Sequence, residues 1–203
     1  MNKRIALGVV LFFAGLASYA HAQVSSSLRV QVVDERGIPI RDAVVEVRAA
    51  GTAASLSPSV RAAMAQKDLE FTPGTIVVAK GSTVAFPNLD RVRHSIYSFS
   101  PAARFKIDLY GRDQTRSHTF NVPGSVSLGC NIHDNMRGYI RVTDTPFAAK
   151  TDQNGYAELK AVPVGAAELT VWHPRLRSPS NELKQAFQIG SGNQARKVAV
   201  KLR

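Results

Sequence analysis

Gly129-Cys130-Asn131-Ile132-His133-Asp134-Asn135-Met136-Arg137-Gly138 is the stretch on which the reading of this chain turns. It sets a thiol, an imidazole and a thioether at three-residue intervals, with short strand-type runs on both sides at 125–128 and 139–142. Cys130, His133 and Met136 therefore share one loop between two strands. A fourth donor, His94, stands 36 residues upstream at the start of the run 94–99. Two imidazoles, a thiolate and a thioether are the donor set for copper moving between Cu(I) and Cu(II). Sulfur suits the softer reduced ion, imidazole accepts both states, and a weak axial thioether tunes the potential. Zinc would call for a fourth strong ligand.

Outward from the loop, short β-branched and aromatic runs recur with Gly, Pro, Asn and Asp between them, which is the pattern of an all-β sandwich or barrel. Strands are expected at 28–33, 43–47, 69–71, 75–79, 83–87, 94–99, 105–109, 117–122, 125–128 and 139–142, then at 157–159, 168–172, 186–189 and 197–202. Asp34-Glu35-Arg36-Gly37-Ile38-Pro39 and Thr151-Asp152-Gln153-Asn154-Gly155 carry turn chemistry. The second also invites a calcium-loop reading, but the twelfth position from Asp152 is Pro163 where a bidentate Glu is required. Residues 49–59 are rich in Ala, Ser and Gly and read as a linker, and Ser57-Pro58 predicts one short helix over 60–65. Two strands at the start of the chain cannot bury a face alone. The expected organisation is therefore a small β-sandwich split into 23–56 and 148–203, with a second sandwich at 57–147 inserted in it. One continuous sandwich of ten or more strands is the other arrangement the pattern allows.

The first 22 residues are a different kind of segment. Asn2-Lys3-Arg4 is a basic start, residues 5–17 are uncharged and apolar, and Ala20-His21-Ala22 is a small-x-small cleavage site, together predicting a secretory signal peptide and export to the periplasm. Its apolar run falls well short of the roughly 20 residues of a spanning helix. The chain has 203 residues and a formal charge of +11, which becomes +9 once Lys3 and Arg4 are removed, and it suits acidic protein partners or anionic surfaces. Its basic residues are scattered rather than gathered in a motif, which argues against nucleic acid. Cys130 is the only cysteine. An exported thiol without an intramolecular partner is an inert buried residue, an intermolecular crosslink or a metal thiolate. The neighbouring His133 and Met136 favour the last.

These residues carry a resemblance. From about residue 69 to 142 the chain resembles a cupredoxin, the blue-copper fold of plastocyanin, pseudoazurin and amicyanin. The motifs are Phe71-Thr72-Pro73, Lys80-Gly81-Ser82-Thr83-Val84-Ala85-Phe86 with Asn88 ahead of His94, Phe120-Asn121-Val122-Pro123-Gly124, and a ligand loop with Arg137-Gly138 most like that of amicyanin. Met64-Ala65-Gln66, His94-Ser95-Ile96-Tyr97-Ser98-Phe99-Ser100 and Val171-Trp172-His173-Pro174 are similar to exported bacterial cupredoxins often labelled methylamine utilization proteins. Methylamine as a substrate does not follow from that label. Ser95 stands where the family commonly has Asn, whose side chain ties its strand to the ligand loop, and Asp134 and Asn135 replace the prolines and apolar surface usual around the exposed histidine. The flanks resemble the carboxypeptidase regulatory-like, or transthyretin-like, sandwich through residues 32–43, 151–155 and Val162-Pro163-Val164-Gly165.

The resemblance implies a Greek-key cupredoxin holding one mononuclear copper, with Cys130, His94 and His133 in a trigonal plane, Met136 axial and His133 as the electron port. A periplasmic carrier of single electrons between redox proteins is the leading expectation, and a copper-holding or delivery module is the alternative. A copper oxidase is disfavoured: four of the five histidines lie beyond the leader, two are already ligands, and no His-x-His pair exists. His118 is expected at the surface rather than as a fifth ligand, and His173 in packing beside Trp172.

Overall fold

The computed structural model describes residues 25–50 and 62–203, and among them it has no α-helix. The leader at 1–22 and residues 51–59 of the expected linker lie outside the described residues. The strands are β1 Ser25–Asp34, β2 Val44–Ala49, β3 Ala62–Ala63, β4 Ala65–Lys67, β5 Glu70–Thr72, β6 Thr75–Ala79, β7 Ser82–Pro87, β8 His94–Ser100, β9 Ala103–Tyr110, β10 Thr115–Phe120, β11 Gly124–Gly129, β12 Arg137–Thr143, β13 Ala148–Lys150, β14 Tyr156–Pro163, β15 Gly165–Trp172, β16 Glu182–Ile189 and β17 Gly192–Val200. The all-β expectation holds, and every predicted run overlaps one of these strands, overrunning it by one or two residues at one end of 43–47, 69–71, 117–122 and 197–202.

Two hydrophobic cores organise them. A three-stranded sheet ordered β14-β1-β17 faces a four-stranded sheet ordered β13-β2-β15-β16. Between them lie Leu28, Val30 and Val32 of β1, Val45 and Val47 of β2, Leu169 and Val171 of β15, and Val198 and Val200 of β17. Alternation puts these side chains on one face of each strand, and each buried Val or Leu contributes roughly 1.5–3 kcal/mol. The second core lies between β10-β7-β3 and the five-stranded sheet β6-β12-β11-β8-β9. It holds Val84 and Phe86 of β7, Ile96 of β8, Phe120 of β10, Val126 and Leu128 of β11, and Ile140 and Val142 of β12, together with Cys130 and Met136. Residues of the first core come from 28–47 and 157–200, and those of the second from 64–142.

The outer face of the five-stranded sheet meets the four-stranded sheet of the other core. Arg141 of β12 donates through Nε and Nη2 to Glu46 of β2 at 3.0 and 2.6 Å, and through Nη1 to Glu182 of β16 at 2.6 Å and to Ser125 of β11 at 2.9 Å. Tyr139 packs on Trp172 of β15 with ring centroids 6.0 Å apart. Burial disfavours the Arg141 charge, but Glu46 and Glu182 outweigh it and raise its pKa.

One expectation fails. The segment predicted as a helix over 60–65 is extended wherever it is described: Ala62 and Ala63 pair in parallel with Val84 and Ala85, and the Met64 amide donates to the Ala85 carbonyl at 2.9 Å. An extended chain buries Met64 and Gln66, two apart, completely. The open edge of β7 and that alternation override the helix propensity of alanine. The turn reading of 151–155 holds, because Asp152 Oδ1 accepts the amides of Asn154 and Tyr156, each at 2.9 Å.

Candidate metal centre

The inward face of β8 begins with His94, fully buried, while β11 ends at Gly129 and releases the chain into the loop 130–136. The Met136 amide donates to the His133 carbonyl at 3.0 Å, which closes that loop as a turn. Cys130 and Met136 are turned into the core at 2% and 1% exposure, whereas His133 is half-buried and Ile132, Asp134 and Asn135 are exposed. Only the imidazole of His133 therefore borders solvent among the four candidates.

Three of the four candidate donors converge. Cys130 Sγ lies 3.7 Å from His94 Nδ1 and 3.8 Å from His133 Nδ1, and the two Nδ1 atoms are 3.2 Å apart. The point equidistant from these three atoms lies about 2.1 Å from each. Bonds from imidazole nitrogen and thiolate sulfur to a first-row metal ion are about 2.0–2.3 Å. A single metal ion fits that triangle without moving a side chain. Met136 belongs to the same buried core cluster as Cys130.

The surroundings hold these side chains in place. His94 Nε2 is 2.8 Å from Asp90 Oδ2. With Nε2–H donating to that carboxylate, the lone pair on Nδ1 points at the cluster, the usual way a neighbouring carboxylate orients a ligand histidine. Asp90 also accepts the amides of Asp68 at 2.7 Å and Leu69 at 3.1 Å, both at positive φ in the β4–β5 turn. Burial pushes the Asp90 carboxyl up, but the hydrogen bonds from His94, Leu69 and Asp68 outweigh it and hold it below the usual carboxylate range. Asn88, fully buried, donates to the Val92 and Tyr110 carbonyls and accepts the Asp90 amide, so the loop before His94 is braced from inside.

Ser95 ties β8 to the ligand loop after all. Its Oγ accepts the Asn131 amide at 3.1 Å and sits 3.9 Å from Cys130 Sγ, so the shorter side chain still spans the gap. Burial pushes the Tyr110 hydroxyl up to about 12, and it stays a donor to the Phe86 carbonyl at 2.9 Å while accepting from Gln66. Asp90 escaped the sequence reading. An acid four residues before a candidate histidine was the only signal, and it becomes meaningful once the loop folds back.

The remaining histidines stay outside the centre. His118 is not fully at the surface as expected: its ring stacks on Phe105 at 3.9 Å and meets Phe120 edge-on at 5.0 Å, and burial lowers its pKa. His173 is half-buried and accepts the Arg175 amide through Nδ1 at 3.2 Å.

No protein-family model matches the sequence, and no curated protein matches it either. About half of the chain is similar to solved cupredoxins. An amicyanin in its reduced Cu(I) form is 19% identical over 49% of this chain and 98% of its own, with a TM-score of 0.39. A purple cupredoxin from Nitrosopumilus maritimus is 20% identical over 40% of this chain and 99% of its own, with a TM-score of 0.37. The Cu-containing nitrite reductase (NirK) from Thermus scotoductus SA-01 is 26% identical over 48% of this chain, with a TM-score of 0.40, and only 25% of that enzyme is covered. No helix among the described residues is long and apolar enough to cross a membrane.

Proposed function

We propose that His94, Cys130 and His133, with Met136 as a weak axial ligand, hold one mononuclear copper ion, and that the protein is a periplasmic carrier of single electrons between redox proteins rather than an enzyme. The observation that carries this is the donor triangle, whose centre is about 2.1 Å from a thiol sulfur and two imidazole nitrogens. A bound copper ion would supply one-electron chemistry between Cu(I) and Cu(II). The chain's contribution is to hold the donors still: Asp90 orients His94, Ser95 pins the loop, and the sheets keep water from Cys130. Little rearrangement then accompanies the change of charge. His133, half-exposed, is the edge at which an electron enters or leaves.

The same reading divides the chain into a signal peptide at 1–22, a cupredoxin unit at 57–147, and a carboxypeptidase regulatory-like sandwich formed from 23–56 and 148–203. Copper storage or delivery is the rival function. It requires the ion to leave, and three of the four ligands are 2% exposed or less.

Adding Cu(II) to the purified exported chain tests the assignment through visible and electron paramagnetic resonance spectra. An intense thiolate-to-copper absorption that disappears in Cys130→Ser is expected. Its absence in the wild type refutes the site. Fast electron self-exchange supports the carrier, whereas copper transfer to an apo acceptor without self-exchange supports delivery.

A further inference from the structure

The outer face of the five-stranded sheet is used unevenly. At β12 and β11 it is covered by the neighbouring sheet through Arg141, Ser125 and Tyr139. Toward β8 and β9 the same face turns to solvent. Strand pairing sets Lys106, Tyr97, Gly129 and Arg137 side by side across β9, β8, β11 and β12, and sets Arg104 beside Phe99 in the next row. Directly paired residues project to the same side of a sheet, so these side chains form one patch. Phe99 is 73% exposed, more than any other large apolar residue among the described ones. Its ring lies 5.2 Å from that of Tyr97, and the Tyr97 hydroxyl accepts from Arg137 Nη1 at 3.4 Å. The charges are Arg104, Lys106 and Arg137 against Asp108, which pairs with Lys106 at 2.7 Å.

The patch also reaches the metal centre. Tyr97 lies over Gly129, the residue before Cys130, so closely that a Cβ there would meet the hydroxyl end of its ring at 2.6 Å. A groove lined by Tyr97, Phe99, Ser127, Gly129 and Arg137 runs over that point.

We propose that this aromatic and cationic patch is the docking surface for an acidic one-electron carrier protein, which would seat its redox group over Tyr97, one residue from the Cys130 thiolate. This rests on the copper reading for its purpose but not for its geometry. Exposed Phe99 and half-buried Tyr97 supply contact area, and the three cations supply steering toward an acidic surface. On transfer the partner is oxidised by one electron and the site reduced by one, with no bond or proton changing hands.

Flavodoxin, a small acidic one-electron carrier, is the probe. In its oxidised form, titrated into the isotope-labelled chain at low salt, it should shift backbone amides at 97–106, 129 and 137. This readout needs no metal. The double variant Arg104→Glu with Lys106→Glu should weaken binding about tenfold, and Phe99→Glu, on a largely exposed ring, should do the same without affecting folding. The pair Lys160→Glu with Lys197→Glu, the same charge change on exposed positions of the other unit, should change binding less than twofold. With the copper-loaded chain, the hydroquinone form should bleach the thiolate-to-copper absorption under anaerobic conditions, and the first double variant should slow that bleaching by the same factor. Shifts centred on 132–135, equal losses in both double variants, or no binding overturn the docking surface. A missing absorption with the amide shifts intact overturns the copper reading alone.

Discussion

Glu46→Gln tests the junction that joins the two cores. Its carboxylate is 1% exposed and grips an Arg141 side chain that is 5% exposed through two hydrogen bonds. Gln retains the shape and one acceptor but removes the charge and turns an amide NH2 toward Nη2. Breaking a buried ion pair from one side costs about 3–5 kcal/mol, because the remaining charge stays buried. Glu182, 18% exposed, still neutralises Arg141 from the other side at 2.6 Å, so the expected loss falls below that range, at about 2–3 kcal/mol. Trp172 is the only tryptophan in the chain and lies at this junction against Tyr139, so its fluorescence reports the right place during urea unfolding. With a slope of about 2–3 kcal/mol per M, the Trp172 midpoint should fall by about 1 M. Replacing Glu46, Arg141 and Glu182 together with Leu, Met and Leu should cost less than Glu46→Gln alone, since it leaves no buried charge unpaired. A loss below about 0.5 kcal/mol in Glu46→Gln, the range of an exposed pair, would mean that water reaches Arg141 and that the two sheets are not clamped there.

Asp90→Asn should lower copper affinity by about 10–100-fold while leaving the thiolate-to-copper band in place, measured by competition with a chelator, because His94 loses its orienting carboxylate. Gly138→Ala should destabilise the chain by about 1–3 kcal/mol in chemical unfolding, since the new Cβ would meet Phe71 Cγ at 2.8 Å and Met64 Sδ at 3.0 Å inside a filled core. Burial raises the Asp42 pKa, but Lys150 and Arg41 outweigh it and hold the group below its ordinary 3.8. Its stabilisation is therefore complete above about pH 3.8 and lost as pH falls through the lower folded value. Asp42→Asn, which tolerates the positive φ there, should be less stable than wild type near neutrality. The difference should vanish under acid, as followed by circular dichroism.

Strand existence was legible because its signal is local: alternation such as that of β1 and β7 needs only a window of six to ten residues. The candidate donor loop stood out for the same reason, since Cys130, His133 and Met136 share seven residues. The described part of the segment read as a helix, 62–65, was misread because its extended form depends on β7, whose edge it joins.

Chain order alone determined the all-β class, the choice of four candidate sulfur and nitrogen donors, and the turns that separate the strands. Only the tertiary structure decided that His94 meets Cys130 and His133 at bonding range, that Asp90 and Ser95 brace them, and that Arg141 locks one sheet against another. Those contacts join residues 35 or more positions apart, except for Asp90 and His94 and for the pair within the loop. No local window contains the distant ones: they exist only when buried apolar faces bring separate strands into register.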